Sequence, residues 1–234
     1  STVDYFEIST INSPQTAGVP FNVIITAKDN QNNTVTDFSG TGVLSDETGS
    51  LTPTETGSFS NGVWSGSLTI TESGSGNKIT ITSSGKAGTS NTFTINPAGL
   101  DHFRFGPVGS PQEAGTIFSL SIFAEDEFNN RVTSFTDYVN LIENTGTISP
   151  GVTGNFVSGA WTGNVRITKS ASDLVITASR SGSSGQTNQF NVIAAPLHHF
   201  TLGTISTQAA GEPFTVSVTA RDVYENVRTQ FTGT

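Results

Sequence analysis

Three stretches of this chain carry one pattern, and it limits the fold more than any other feature. Phe21–Phe38 reads FNVIITAKDNQNNTVTDF, Phe118–Phe135 reads FSLSIFAEDEFNNRVTSF, and Phe214–Phe231 reads FTVSVTARDVYENVRTQF. In each, apolar residues alternate: Phe21, Val23, Ile25 and Ala27; Phe118, Leu120, Ile122 and Ala124; Phe214, Val216, Val218 and Ala220. Strand side chains point to opposite faces with period two, so each set shares one face, expected to be buried. Every copy then runs into Asp-x-x-x-Asn, at Asp29/Asn33, Asp126/Asn130 and Asp222/Asn226. A unit that returns in this way marks a tandem array.

The period follows from landmarks. Phe6 and Phe103, Asp29 and Asp126, Trp64 and Trp161, and Phe93 and Phe190 are each 97 positions apart. The third copy keeps the register with one deletion, since Gly115 and Gly211 are 96 apart. Repeats are therefore expected at 1–99, 100–196 and 197–234, the last incomplete. The junctions NPAGLDHF and AAPLHHF are short and carry Pro, which predicts semi-rigid linkers. The third copy falls about 60 residues short of the period. The chain also opens on Ser1 without a Met. The expectation is a piece of a longer array whose continuation supplies the missing strands. Completion by a neighbouring subunit is the alternative.

Within one copy the strand signals are short and regular. Strands are expected at 5–9, 21–28, 35–38, 43–45, 64–70, 78–82 and 91–95, or about seven per repeat. Trp64, Gly66, Leu68 and Ile70 share one parity after the Asn61-Gly62 turn signal, as do Trp161, Gly163, Val165 and Ile167. The predicted core is thus Phe21, Val23, Ile25, Trp64 and Phe93 in the first copy, and Phe118, Leu120, Ile122, Trp161 and Phe190 in the second. Phe214 and Val216 take the same role in the third. No stretch has a helical period, so an all-β chain of antiparallel two-sheet sandwiches is the economical solution.

Composition fits that solution and excludes some roles. Charged residues are only 12%, with 25 Gly, 16 Phe and neither Cys nor Met. Such a chain coats its solvent face with hydroxyls rather than ion pairs, and its Phe content argues against disorder. A formal charge of −9 makes nucleic acid or an anionic membrane surface a poor partner. No apolar run approaches the length of a membrane span. Lack of Cys is compatible with either redox compartment.

The residues also resemble a known family. Ala27-Lys28-Asp29…Asn33…Phe38-Ser39-Gly40 and Ala220-Arg221-Asp222…Asn226…Phe231-Thr232-Gly233 are similar to the motif of bacterial immunoglobulin-like repeats of invasin- and intimin-type surface adhesins. The second copy reads Phe135-Thr136-Asp137 and departs at the Gly. The resemblance implies immunoglobulin-like sandwiches and an extracellular or bacterial cell-surface location, and no catalytic residue carries over from it. Such repeats serve in adhesins, in surface-layer proteins and as spacers in secreted enzymes.

Candidate chemistry is sparse. Asp29, Asn33, Asp126, Asn130, Asp222 and Asn226 offer the oxygen ligands that calcium takes, but too few per copy and without an Asp-rich loop. The structural alternative is that each Asp caps its own turn and each Asn adopts a left-handed or Asx-turn conformation. His102, His198 and His199 lie just past the junctions, without the Cys or His spacing zinc needs. Tyr5, Phe123, Phe128, Tyr138 and Tyr224 are the exposed aromatic candidates and do not repeat as a set, so a binding platform shared by every copy is not expected. No nucleophile elbow or repeated carboxylate pair occurs, so an enzyme is not expected. The leading expectation is a structural array forming a stalk, fibre or surface lattice. Its partners would be further repeats of the same chain or neighbouring subunits. The alternatives are an adhesive module for a host protein or glycan, and an accessory region of a secreted enzyme.

Overall fold

The computed structural model describes residues 2–233, and every regular element among them is a strand. Contacts group the chain into two compact units, 1–99 with 126–132, and 100–125 with 133–234.

In the first unit, one layer pairs Tyr5–Ile8, Phe21–Lys28, Val63–Ile70 and Leu51–Thr52 in that order. Its register sets Ile25 opposite Trp64, Val23 opposite Gly66 and Phe21 opposite Leu68. The facing layer is built from Val43–Asp46, Ile79–Ser83 and Lys86–Thr89 at one end. At the other end lie Gln15–Thr16, Phe93–Asn96 and Gly74–Asn77, with Gln15–Thr16 parallel to its neighbour. The alternation seen in the sequence becomes the core: Val23, Ile25, Ala27, Leu68, Ile70, Leu44, Ile79, Ile81, Phe93 and Ile95 are all buried. Phe21 and Trp64 are half-buried at its margin. The second unit repeats this plan, with Leu120, Ile122, Val165, Ile167, Leu141, Ile176 and Phe190 buried. There too Phe118 and Trp161 are half-buried. Both Trp side chains are thus rim residues, each ring lying across a glycine, Gly66 or Gly163, where a Cβ would overlap it.

Phe clusters fill one end of each core. Phe6, Phe38 and Phe59 lie with centroids 5.0–5.8 Å apart, and Phe103, Phe135 and Phe156 repeat the arrangement at 5.0–6.0 Å. Edge-on rings at such distances add about 0.5–1.5 kcal/mol per pair beyond area burial.

Three expectations need correction. Val35–Phe38 is no strand: after the Lys28–Thr34 bridge the chain turns, with Phe38 N–H donating to the Val35 carbonyl. A strand expected at Val227–Phe231 in the third copy is likewise absent, replaced by an Arg221–Val227 bridge and a turn. In the third copy only His199–Leu202 and Val218–Arg221 pair as strands. Phe214 and Val216 are 51% and 40% exposed, so neither is a core residue here. Alternation sets a face, but burial needs a second layer. Among the described residues of 197–233 no such layer stands over them, and Phe200 stacks edge-on with Phe231 alone.

The Lys86–Thr89 strand passes so close to Tyr5–Ile8 that a Cβ on Gly88 would overlap the Phe6 carbonyl, and Gly185 meets Phe103 in the same way. Backbone cannot move aside as a flexible side chain can, so Gly88→Ala or Gly185→Ala should cost about 1–3 kcal/mol. Gly74→Ala, with nothing near its Cβ, should change stability by less than about 0.5 kcal/mol in urea denaturation.

Candidate functional site in the Asp-x-x-x-Asn turns

The three Asp-x-x-x-Asn segments fold into one turn. Asp126 N–H donates to the Asn130 carbonyl at 2.9 Å, and Asn129 N–H to the Asp126 carbonyl at 3.0 Å. The Asp126 carboxylate then accepts at Oδ1 from Phe128 and Asn130 N–H, at 2.9 and 2.8 Å. Asp29 accepts likewise from Gln31 and Asn33, and Asp222 from Tyr224 and Asn226. Each Asp therefore caps its own turn. The left-handed residue is the one before the Asn: Asn32, Asn129 and Glu225 have φ of 67°, 66° and 65°. Asn tolerates that region and Glu less so, and the carboxylate cap holds all three there.

The remaining polar atoms reach beyond the turn. Residues 126–132 belong to the first compact unit, although the sequence period counts them to the second copy. Asn130 Nδ2 donates to the Thr71 carbonyl at 2.8 Å, and its Oδ1 accepts from Ser73 N–H at 2.8 Å. Asp126 Oδ2 accepts from Asn130 Nδ2 at 2.9 Å and from Ala98 N–H, in the linker, at 2.8 Å. In the second unit, Asn226 repeats both bonds, to the Thr168 carbonyl at 2.8 Å and Ser170 N–H at 2.9 Å. Asp222 Oδ2 accepts from Asn226 Nδ2 and from linker Ala195 N–H, at 2.8 and 2.9 Å. Arg228 Nη1 adds a bond to the Ala195 carbonyl at 2.6 Å. The groups are closed off from water: Asp126 and Asp222 are 0% exposed, Asn130 8% and Asn226 1%.

An aromatic ring completes each clasp. Phe128 lies over Gly18 and Tyr224 over Gly115, so closely that a Cβ on either glycine would overlap the ring. Both glycines are left-handed, at φ 73° and 80°. Phe128 and Tyr224 are therefore a repeating pair, contrary to the reading of them as unrelated aromatics. Their signal in the sequence is position, two residues after the Asp. Thr71/Thr168, Ser73/Ser170 and Gly18/Gly115 recur at the 97-residue period but carry no chemistry that marks them.

This geometry leaves calcium no place at Asp126/Asn130 or Asp222/Asn226. The oxygens a cation would need face N–H donors, whose positive ends would repel it. Burial pushes the Asp222 carboxyl up, but hydrogen bonds from the Asn226 side chain and from the Asn226, Ala195 and Tyr224 N–H groups outweigh it. The net shift is below the ordinary carboxylate range. A depressed native value means that Asp222 stabilises the fold above the unfolded value of about 4. That contribution is lost as pH falls through the native value.

The other candidates assemble differently. His102 Nδ1 lies 3.0 Å from Asp101 and its Nε2 3.5 Å from buried Glu125, which also accepts from Arg104 Nε at 2.7 Å. His198 and His199 contact each other through Nδ1 atoms 3.0 Å apart. Among the described residues no group of three or more His, Cys, Asp or Glu is placed to hold a metal ion.

No protein-family model matches the sequence, and no curated protein matches it. The chain is similar to the solved structure of FdeC, described as a broadly conserved Escherichia coli adhesin. Identity is 17% and the TM-score 0.47, over 97% of this chain and 76% of that one. It is similar to Yersinia pseudotuberculosis InvD at 16% identity and TM-score 0.41, over 95% and 71%. It is also similar to domains 1–6 of the surface layer protein SbsC, at 16% and 0.33, over 97% of this chain but 32% of that one.

Removing one carboxamide strands a part-buried carbonyl and a part-buried N–H at once. Asn130→Ala and Asn226→Ala should therefore each lower unfolding stability by at least about 1–3 kcal/mol. Asn33→Ala, at an exposed position, should cost less than about 0.5 kcal/mol in the same urea titration.

Proposed function

We propose that the chain is a structural repeat array of a bacterial extracellular or cell-surface protein, serving in a stalk, fibre or surface lattice. The observation that carries this reading is where the best-repeated polar residues are spent. Asp126, Asn130, Asp222 and Asn226 form buried clasps that tie each linker and turn to the preceding copy's strand ends. They leave no donor set for catalysis or metal binding. A clasp that repeats at each junction suits a protein that holds and spaces, because each copy then supports its neighbour. The resemblance to invasin- and intimin-type repeats and the hydroxyl-rich, Cys-free composition support an extracellular setting.

One observation favours adhesion as a second reading. The second copy exposes Ile142, Val152 and Val157, at 60%, 43% and 76%. The first copy carries Ser45, Glu55 and Ser60 at the equivalent positions. Nearby, Arg180 lies 4.0 Å over the Tyr138 ring and is paired with Asp137. At these positions the second copy offers a host protein or glycan apolar contacts that the first copy lacks. An accessory role beside a catalytic domain is compatible with the same sandwiches and draws on no residue of its own.

Coupling is measured at the linker. In the double variant Phe128→Ala/Asn130→Ala, limited proteolysis within residues 96–101 should accelerate at least about tenfold, as expected when some 1.4 kcal/mol of local protection is lost. Unchanged cleavage in a variant that still folds would remove the array reading and leave adhesion in front.

A further inference from the structure

The first copy's turn is folded as the two seated turns are. Asp29 Oδ1 accepts from Gln31 and Asn33 N–H at 3.0 and 2.8 Å, and Asn33 Nδ2 donates to Asp29 Oδ2 at 3.3 Å. Asn33 is exposed, whereas its equivalents Asn130 and Asn226 are buried against a strand end. We propose that the Asp29–Asn33 turn is a docking surface for another immunoglobulin-like repeat. That repeat would present a strand-end carbonyl and, two residues on, an N–H, as Thr71 and Ser73 do. This rests on the array reading and names the surface and partner through which an array would be joined at the first copy.

The partner follows from chemistry already visible twice. A carboxamide offers one donor and one acceptor at fixed spacing, which matches the carbonyl and N–H of a chain leaving a strand. Thr71–Ser73 follows buried Ile70 at the end of Val63–Ile70, and Thr168–Ser170 follows buried Ile167, two residues past the end of the equivalent strand Ala160–Val165. Both supply the same two atoms to an Asn in the same turn. The first copy lacks the aromatic residue of the other two turns. Gln31 stands where Phe128 and Tyr224 place rings over left-handed glycines. Docking at this turn therefore relies on the carboxamide pair without an aromatic ring, and is weaker than at the other two.

The test lengthens the chain instead of cutting it. Residues 1–99 are duplicated in front of the 234-residue chain, so that a second Thr71–Ser73 precedes the original Asn33. In the parent chain, Asn33→Ala should leave the melting midpoint within about 1 °C, as for an exposed side chain. In the lengthened chain the same change at the original Asn33 should lower the midpoint by about 4 °C or more, and Gln31→Phe should raise it. The effect of losing the bond to Asp29 is common to both chains and cancels. Equal effects of Asn33→Ala in the two chains would overturn the docking surface. If Asn130→Ala still loosens the 96–101 linker in that event, the array reading survives. If neither variant has an effect, both fall.

Discussion

A buried carboxamide on a carboxylate-capped turn is the interaction that ties each seated turn to the chain leaving a strand. Asn130 and Asn226 each bond a part-buried carbonyl and N–H that the chain leaving a strand would otherwise leave unpaired. Such groups cost about 1–3 kcal/mol each when buried without a partner. The carboxylates of Asp126 and Asp222 make the arrangement possible. They fix the turn, orient the Asn and take up the linker N–H with the oxygen that remains. Every member of the network is satisfied, the condition under which a buried polar cluster specifies one geometry. The rings of Phe128 and Tyr224 then close the site against the left-handed glycines.

The sandwiches supply the rigid frame for this. Ile70, at the end of Val63–Ile70, and Ile167, two residues past the end of Ala160–Val165, are both buried, so the carbonyl and N–H that follow are presented at fixed positions. Cross-strand electrostatics vary without disturbing the frame. Lys28 lies 3.5 Å from Glu7 in the first copy, and Glu125 lies 2.7 Å from Arg104 in the second, with the charges exchanged. The carboxamide bonds, by contrast, are the same at both junctions. The array reading asks for this combination: variable surfaces on a constant coupling.

Much of the fold was legible in the sequence because period-two alternation over eight residues leaves little choice. Val23, Ile25, Leu120 and Ile122 lie on the buried face as their parity implies. Trp64 and Trp161 share that parity yet sit at the rim, because each side chain lies across a glycine instead of filling the centre. The third copy has the same alternation, and Phe214 and Val216 are exposed, since parity says which way a residue points and not what covers it. The clasps were only half legible. Asp and Asn stood out by repetition and the local cap by turn chemistry, but the partners of Asn130 lie 57 and 59 residues away. The equivalence of Phe128 and Tyr224 is hidden in the sequence because Gln31 interrupts the set in the first copy.

The central claim is that the buried Asn side chains of the two clasps bind the backbone that follows a strand. Hydrogen exchange at the Ser73 and Ser170 amides tests it most directly, because each donates to an Asn Oδ1 while lying outside the strand ladders. The account predicts strong protection at both amides, falling toward the rate of an open loop when the matching Asn is replaced by Ala. Open-loop exchange in the parent protein, or protection that survives Asn130→Ala and Asn226→Ala, would contradict it.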